Sequence, residues 1–200
     1  MRLTLTGLGH RFGDGPWLFR HLDRAFDGGD VVALVGPSGS GKSTLLAVIS
    51  GQLTPAEGGV DGAAGRMRWV FQNPHGVARR SAADHVALPL LAVGRSRDEA
   101  DARAREILAE LGLAHVADAP FAQLSGGEAQ RLMLGRAWAA APDVLLVDEP
   151  TAQLDRATAL EVASRLHVLA GHGAVVIIAT HDPMVIANCP QVLDLGGESA

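Results

Sequence analysis

The sequence predicts an α/β fold around a mostly parallel sheet. Short apolar runs, "VVALV" (31–35), "VLLVD" (144–148) and "AVVIIAT" (174–180), read as strands buried on both faces. Segments with helical periodicity, caps and breakers separate them, and no repeat or low-complexity tract interrupts the alternation. At 200 residues the chain can bury a sizeable core, which predicts one domain.

The elements follow in order. After "VVALV", "KSTLLAVIS" (42–50) reads as a helix closed by Gly51, with Pro55 just beyond. "MRWVF" (67–71) is the next strand. "SRDEADARAREILAELGL" (96–113) is a strong helix. Ser96 is its cap candidate, and Ile107, Leu108 and Leu111 share one face. "GGEAQRLMLGRAWAAA" (126–141) is another helix, stopped before Pro142. "VLLVD" follows, then a helix over 155–171 with Asp155 as its cap, then "AVVIIAT" and a shorter strand, "QVLDL" (191–195). The helical stretch 73–141 looks like an insertion between two sheet-forming parts, 1–72 and 142–200.

Composition narrows the function classes. Hydrophobic residues make up 48% and charged residues 20%, as in an ordinary globular protein, and the net charge of −5 argues against a nucleic-acid partner. Cys189 is the single cysteine, so no internal disulfide forms and a reducing cytoplasm fits. The thiol reads as incidental. The longest apolar runs, "VALPLLAVG" and "AVVIIA", are too short to span a bilayer, so a membrane role is expected to need a partner.

Gly36, Pro37, Ser38, Gly39, Ser40, Gly41, Lys42 and Ser43, "GPSGSGKS", match the phosphate-binding pattern G-x-x-x-x-G-K-[ST] in full. The glycines let backbone N–H groups turn toward phosphate oxygens, and the following helix points its positive end at the same anion. Lys42 can reach β- and γ-phosphates, Ser43 can bind Mg²⁺, and Thr44 is expected to add a phosphate contact. Lys42 is the only lysine; the other sixteen of the seventeen basic residues are arginine. A compact ammonium fits a phosphate cradle where a planar guanidinium does not.

Asp148 ends a buried strand, where a carboxylate can hold Mg²⁺. Glu149 is next to it, and strand alternation would send the two to opposite sides, one serving the metal and the other a water. "LSGGE" (124–128) opens a helix, and Ser125, Gly126 and Gly127 present a hydroxyl and free backbone donors at its N-terminus.

"GPSGSGKS", "VFQ" (70–72), "LSGGE", "VLLVDEP" (144–150), "TAQLD" (151–155) and "IATHD" (178–182) occur in the order found in ATP-binding cassette (ABC) ATPases, which the chain resembles over nearly its whole length. Within that family it looks most like the lipoprotein-release, macrolide-efflux and cell-division ATPases. The resemblance implies a P-loop NTPase (RecA-like) core, an inserted helical subdomain carrying the signature, and an antiparallel β-subdomain. It also implies roles by position. Glu149 would be the general base and His181 a γ-phosphate contact. Gln72 would sense Mg²⁺ and the attacking water and link the site to a membrane partner. Phe12 would stack on adenine. Ser125, Gly126 and Gly127 would bind the γ-phosphate of the other subunit's ATP, and Asp155 would communicate between the two sites.

The implied function is an ATP- and Mg²⁺-dependent ATPase subunit of a membrane exporter or extractor. It would work as a head-to-tail dimer, a homodimer, with a transmembrane permease at the cytoplasmic face of the membrane. A mechanotransmitting ATPase of the cell-division type, driving a partner that transports nothing, is the alternative. The segment from Gly51 to Gln72 is shorter than in most relatives. It is expected to hold a turn and one hairpin, which reduces the β-subdomain and part of the adenine-side wall. Gly135 stands where alanine is common, and Ala129 where glutamine is usual.

Overall fold

In the computed structural model, which describes residues 1–62, 66–151, 154 and 156–196, five parallel strands form the centre. With β1 (Arg2–His10), β2 (Phe19–Asp27) and β4 (Glu57–Asp61) forming a separate sheet, these five are β3 (Val31–Val35), β5 (Met67–Val70), β6 (Val144–Asp148), β7 (Val175–Ala179) and β8 (Gln191–Asp194), ordered β5-β6-β7-β3-β8. Every neighbouring pair is parallel.

Both faces of this sheet are covered, which is why its strands are continuously apolar. On one face Val31, Leu145, Val147, Val176 and Ile178 meet the helices α2 (Ala82–Ala92), α3 (Arg97–Glu110), α4 (Gly126–Ala139), α5 (Arg156–Gly171) and α6 (Pro183–Asn188). On the other face Val32, Leu34, Val144, Leu146, Val175 and Ile177 meet α1 (Lys42–Ile49) and the antiparallel sheet. Truncating one of these fully buried side chains, such as Leu146, would cost about 2–5 kcal/mol.

The antiparallel sheet has the order β2-β1-β4. The hairpin expected within Gly51–Gln72 does not form. β4 pairs instead with β1, and β5 joins the parallel sheet beside β6. Gly58 permits this pairing, since a Cβ there would collide with the carbonyl oxygens of Thr6 and Gly7. The shortened segment thus keeps a three-stranded β layer.

The helical stretch is built as its caps dictate. Ser96 and Ser125 each form a capping box, with Glu99 and Glu128 respectively. Ser81 caps α2. Gly135 lies where α3 and α4 pack closely: a Cβ there would lie 2.9 Å from Leu111 Cδ1, the movable end of that side chain, and 3.4 Å from Ile107 Cγ2. The cap candidate Asp155 lies outside the described residues.

Candidate functional site

Four of the five parallel strands deliver a singled-out residue at their carboxyl ends, the edge where open α/β sheets bind ligands. The register aligns Leu34, Ala179 and Asp148 across β3, β7 and β6. The residues just beyond, Gly36 onward, His181 and Glu149, therefore form a row. Gln72, two residues past β5, extends it beyond β6.

A cavity of about 720 Å³ opens at this edge, lined by Phe12, Leu18, Gly36, Pro37, Ser38, Gly39, Gly41, Lys42, Ser43, Thr44, Gln72, Asp148, Glu149 and His181. Sequence reasoning missed Leu18, whose only signal is its place at the end of the loop that carries Phe12. Ser40 sits in the same loop with its hydroxyl buried and not among the side chains that line the cavity; a Cβ added to Gly36 would lie 2.6 Å from Ser40 Oγ. Gly36 (φ 145°) and Gly41 (φ 93°) adopt backbone angles that side chains rarely tolerate. Gly41 is the N-cap of α1, and no acidic residue in the first turn neutralises the helix's positive end. Lys42 Nζ donates to the Gly36 carbonyl at 2.8 Å and to that of Pro37 at 3.2 Å, so the ammonium stands inside the loop.

The two carboxylates do not diverge as strand alternation would have it. β6 ends at Asp148, and Glu149 takes a left-handed backbone (φ 46°) with its N–H on the Ala179 carbonyl at 2.8 Å. The chain turns at that point, so both carboxylates face one cavity. Burial pushes the Asp148 carboxyl above the ordinary carboxylate range. The Ser43 hydroxyl bonded to it pulls it back, neighbouring Glu149 raises it further, and Lys42 lowers it. His181 Nδ1 donates to Glu149 Oε1 at 2.8 Å, while Glu149 Oε2 is buried with no partner among the described residues. His181 is placed by the turn after β7. The Asp182 carboxylate accepts from the Thr151 hydroxyl at 3.0 Å and from Met184 N–H at 2.9 Å, pinning the residues around it.

These parts fit a magnesium-bound nucleoside triphosphate. The loop amides, helix end and ammonium suit phosphate oxygens. The orphaned, buried Glu149 Oε2 suits a water or other donor. Among the described residues no three His, Cys, Asp or Glu cluster to hold a metal unaided, so a cation here would share Ser43 and Asp148 with phosphate and water.

Ser125, Gly126 and Gly127 stand apart from this cavity at the N-terminus of α4. Glu128 accepts from the Ser125 hydroxyl at 2.7 Å and its N–H at 2.8 Å, and these bonds, with His115 at 3.0 Å, hold its carboxyl below the usual range. Cys189 is half-buried, and burial pushes its thiol up to about 11, which suits no nucleophile. His85 is buried and structural, its Nε2 accepting from Val77 N–H and its Nδ1 donating to the Ser81 main-chain carbonyl.

A second concavity, of about 460 Å³, lies between β5 and helices α2 and α4. Phe71, Leu88 and Met133 give it an apolar floor, and Arg68, Arg136 and His75 a basic rim. The resemblance implies a groove for a membrane partner along 73–89, which holds His75 and Leu88, but singles out none of these six residues. The signal was present, since Met133 and Arg136 lie three residues apart on one helical face.

The sequence profile of the ABC transporter family matches residues 19–152. The lipoprotein-releasing system ATP-binding protein LolD of Chromohalobacter salexigens is 38% identical, with 96% of this chain and 90% of that one aligned. A probable export ATP-binding/permease protein of Pseudomonas fluorescens is also 38% identical over 96% of this chain, which spans only 32% of that longer protein. Among solved structures, the dimeric bacterial ABC transporter cassette MJ0796 superimposes with a TM-score of 0.83 at 29% identity, covering 97% of this chain and 95% of that one. Fold, nucleotide cavity and relatives agree, and the chain belongs to the ABC transporter family as an ATP-binding ATPase cassette.

Proposed function

We propose that this cassette hydrolyses Mg-ATP as the motor subunit of a membrane exporter or extractor, and that two copies close head to tail around two nucleotides. Residues 1–72 and 142–200 would be the nucleotide-binding core, and 73–141 the helical subdomain that carries the signature. The observation behind the reading is the row at the carboxyl edge of the sheet, where Gln72, Asp148, Glu149, His181 and the loop 36–44 share one cavity.

Each residue has a task that its position supports. Phe12, 62% exposed, offers a ring face for adenine. The amides of Gly39 and Gly41 and the start of α1 hold phosphate oxygens, with Ser43 and Thr44 adding hydroxyls. Lys42 leaves its carbonyl partners for the β- and γ-phosphates. Ser43, Asp148 and Gln72 hold the Mg²⁺, which supplies charge neutralisation to the phosphates. Glu149 Oε2 takes the proton from the attacking water. Its Oε1 fixes His181 with the proton on Nδ1, which leaves Nε2 to face the γ-phosphate, as an acceptor in the neutral ring and a donor in the imidazolium.

Ser125, Gly126 and Gly127 lie outside their own chain's cavity, so they suit the nucleotide of a second copy. Such a copy would bring those donors to the nucleotide from outside this chain. The described residues contain no helix long and apolar enough to cross a membrane. A permease partner therefore fits, and the relatives named export ATP-binding/permease proteins carry both parts in one chain's name. The groove beneath Arg68 and Arg136 suits a segment of that partner with an apolar stripe and acidic ends, at the cytoplasmic face.

Phosphate release from Mg-ATP tests the chemistry. Wild type is expected to turn over, and Glu149→Gln to bind ATP with at least about 100-fold slower release. Equal turnover in the two would remove Glu149 as the base.

A further inference from the structure

We propose that Gln130 is a positioning residue that sets Gln72 in the nucleotide cavity. The proposal rests on the assignment of Gln72 to the nucleotide site.

Gln130 lies inside α4, five residues after Ser125, and is 3% exposed. Its Nε2 donates to the carbonyl of Phe71 at 3.3 Å, across a separation of 59 residues. Three things meet at Phe71. Its carbonyl is held by α4. Its ring, 48% exposed and stacked on Trp69 at 4.7 Å between centroids, lies in the basic-rimmed groove. Its following residue is Gln72, in the cavity. Beyond this bond, the next one that ties the segment to another element is Val77 N–H to His85 Nε2 at 2.9 Å. Among the described residues, Gln130 thus makes the one hydrogen bond from another element to the stretch between the end of β5 and Val77, which presents Gln72.

Stability does not account for a glutamine here. Leu132, Met133 and Leu134 beside it in α4 are buried apolar residues. Gln130 Oε1 is buried with no partner among the described residues, and a buried amide with an unsatisfied acceptor is a cost. An apolar side chain of the same length would avoid that cost and lose only the hold on Phe71. The amide must face the carbonyl with its NH₂, because its oxygen would meet another acceptor. The one contact it gains is therefore the one that fixes the main chain before Gln72.

The test is Gln130→Met, which keeps the shape and removes the donor. Its unfolding temperature is expected to match or exceed wild type. Hydrogen exchange of the amides over 72–76 in the nucleotide-free protein is expected to rise by about tenfold, the range of one lost hydrogen bond. In Mg-ATP turnover, kcat is expected to fall by about five- to tenfold with KM changed less than about twofold. Adding Gln130→Met to Gln72→Ala is expected to change kcat no further. Gln130→Leu, which likewise has no donor, is expected to reproduce these effects if the methionine variant folds poorly. Unchanged exchange over 72–76 would overturn the proposal, as would an equal loss of kcat in the Gln72→Ala background. A wild type without turnover would sink the ATPase reading instead, while the exchange measurement would still decide Gln130.

Discussion

Lys42→Arg keeps the charge and changes only its shape, so it separates a phosphate cradle from a generic basic patch. Nζ stands 2.8 Å from the Gly36 carbonyl and 3.2 Å from that of Pro37. An ammonium has three donors, so two rest on the loop and the third is free; all three can turn to a nucleotide. The loop has little slack around it, since Gly36 already abuts Ser40 and a Cβ on Gly41 would lie 2.9 Å from Leu18 Cβ. A branched, planar guanidinium cannot enter without displacing that backbone. Losing one charge-assisted bond to phosphate costs about 1.5–3 kcal/mol, or roughly 10- to 150-fold in affinity. Calorimetric titration with ATP and ADP, beside a thermal melt to show an intact fold, reads this directly. The loss should be larger for ATP, which presents the γ-phosphate. ATP affinity within about threefold of wild type in a folded variant would refute the reasoning.

Two further outcomes follow from single contacts. Asp148 has its pKa raised in the folded state, so its stabilising protonated form is present below the ordinary carboxylate value and is lost as pH rises through the raised one. At pH 8 the charged carboxylate is a net cost to the empty protein. Asp148→Asn should therefore melt higher there, by about 2–4 °C per kcal/mol relieved, while gaining less from Mg-ATP than wild type does; a lower melting point would contradict the burial effect. Gly76→Ala puts a Cβ 2.5 Å from the Phe121 ring, and overpacking of this kind costs about 1–3 kcal/mol; an unchanged denaturation midpoint would show that the ring yields freely.

The parallel strands were legible because burial on both faces makes them unbroken apolar runs. β1 and β2 were not. In β1, Gly7 turns left-handed (φ 53°) and the register slips between Leu5 and Leu8, which breaks the alternation. In β2, His21 (φ 55°) does the same, so Phe19, Leu22 and Phe26 fall at helix-like spacings of three and four while all three are buried. β4 carries two glycines and no continuous apolar face, so its pairing with β1 is set by backbone fit and leaves little pattern to read.

The site was legible where a residue ends or follows a buried strand, as Asp148, Gln72 and His181 do, and in the loop 36–44. What spacing could not show was direction. Ser40 belongs to the loop yet buries its hydroxyl, and Glu149 joins Asp148 in the cavity because one left-handed residue overrides strand alternation. Gln130 was invisible for another reason: a lone polar residue on a helix reveals its partner only once α4 is packed beside Phe71.

The solution mass of Glu149→Gln with and without Mg-ATP tests the central claim most directly. Ser125, Gly126 and Gly127 do not line their own cavity, and in the proposed head-to-tail arrangement a second copy would bring its signature to this nucleotide. Light scattering should give a monomer without nucleotide, and a dimer when Mg-ATP is added and cannot be cleaved. A mass that stays monomeric at saturating Mg-ATP would contradict the head-to-tail sandwich for this cassette.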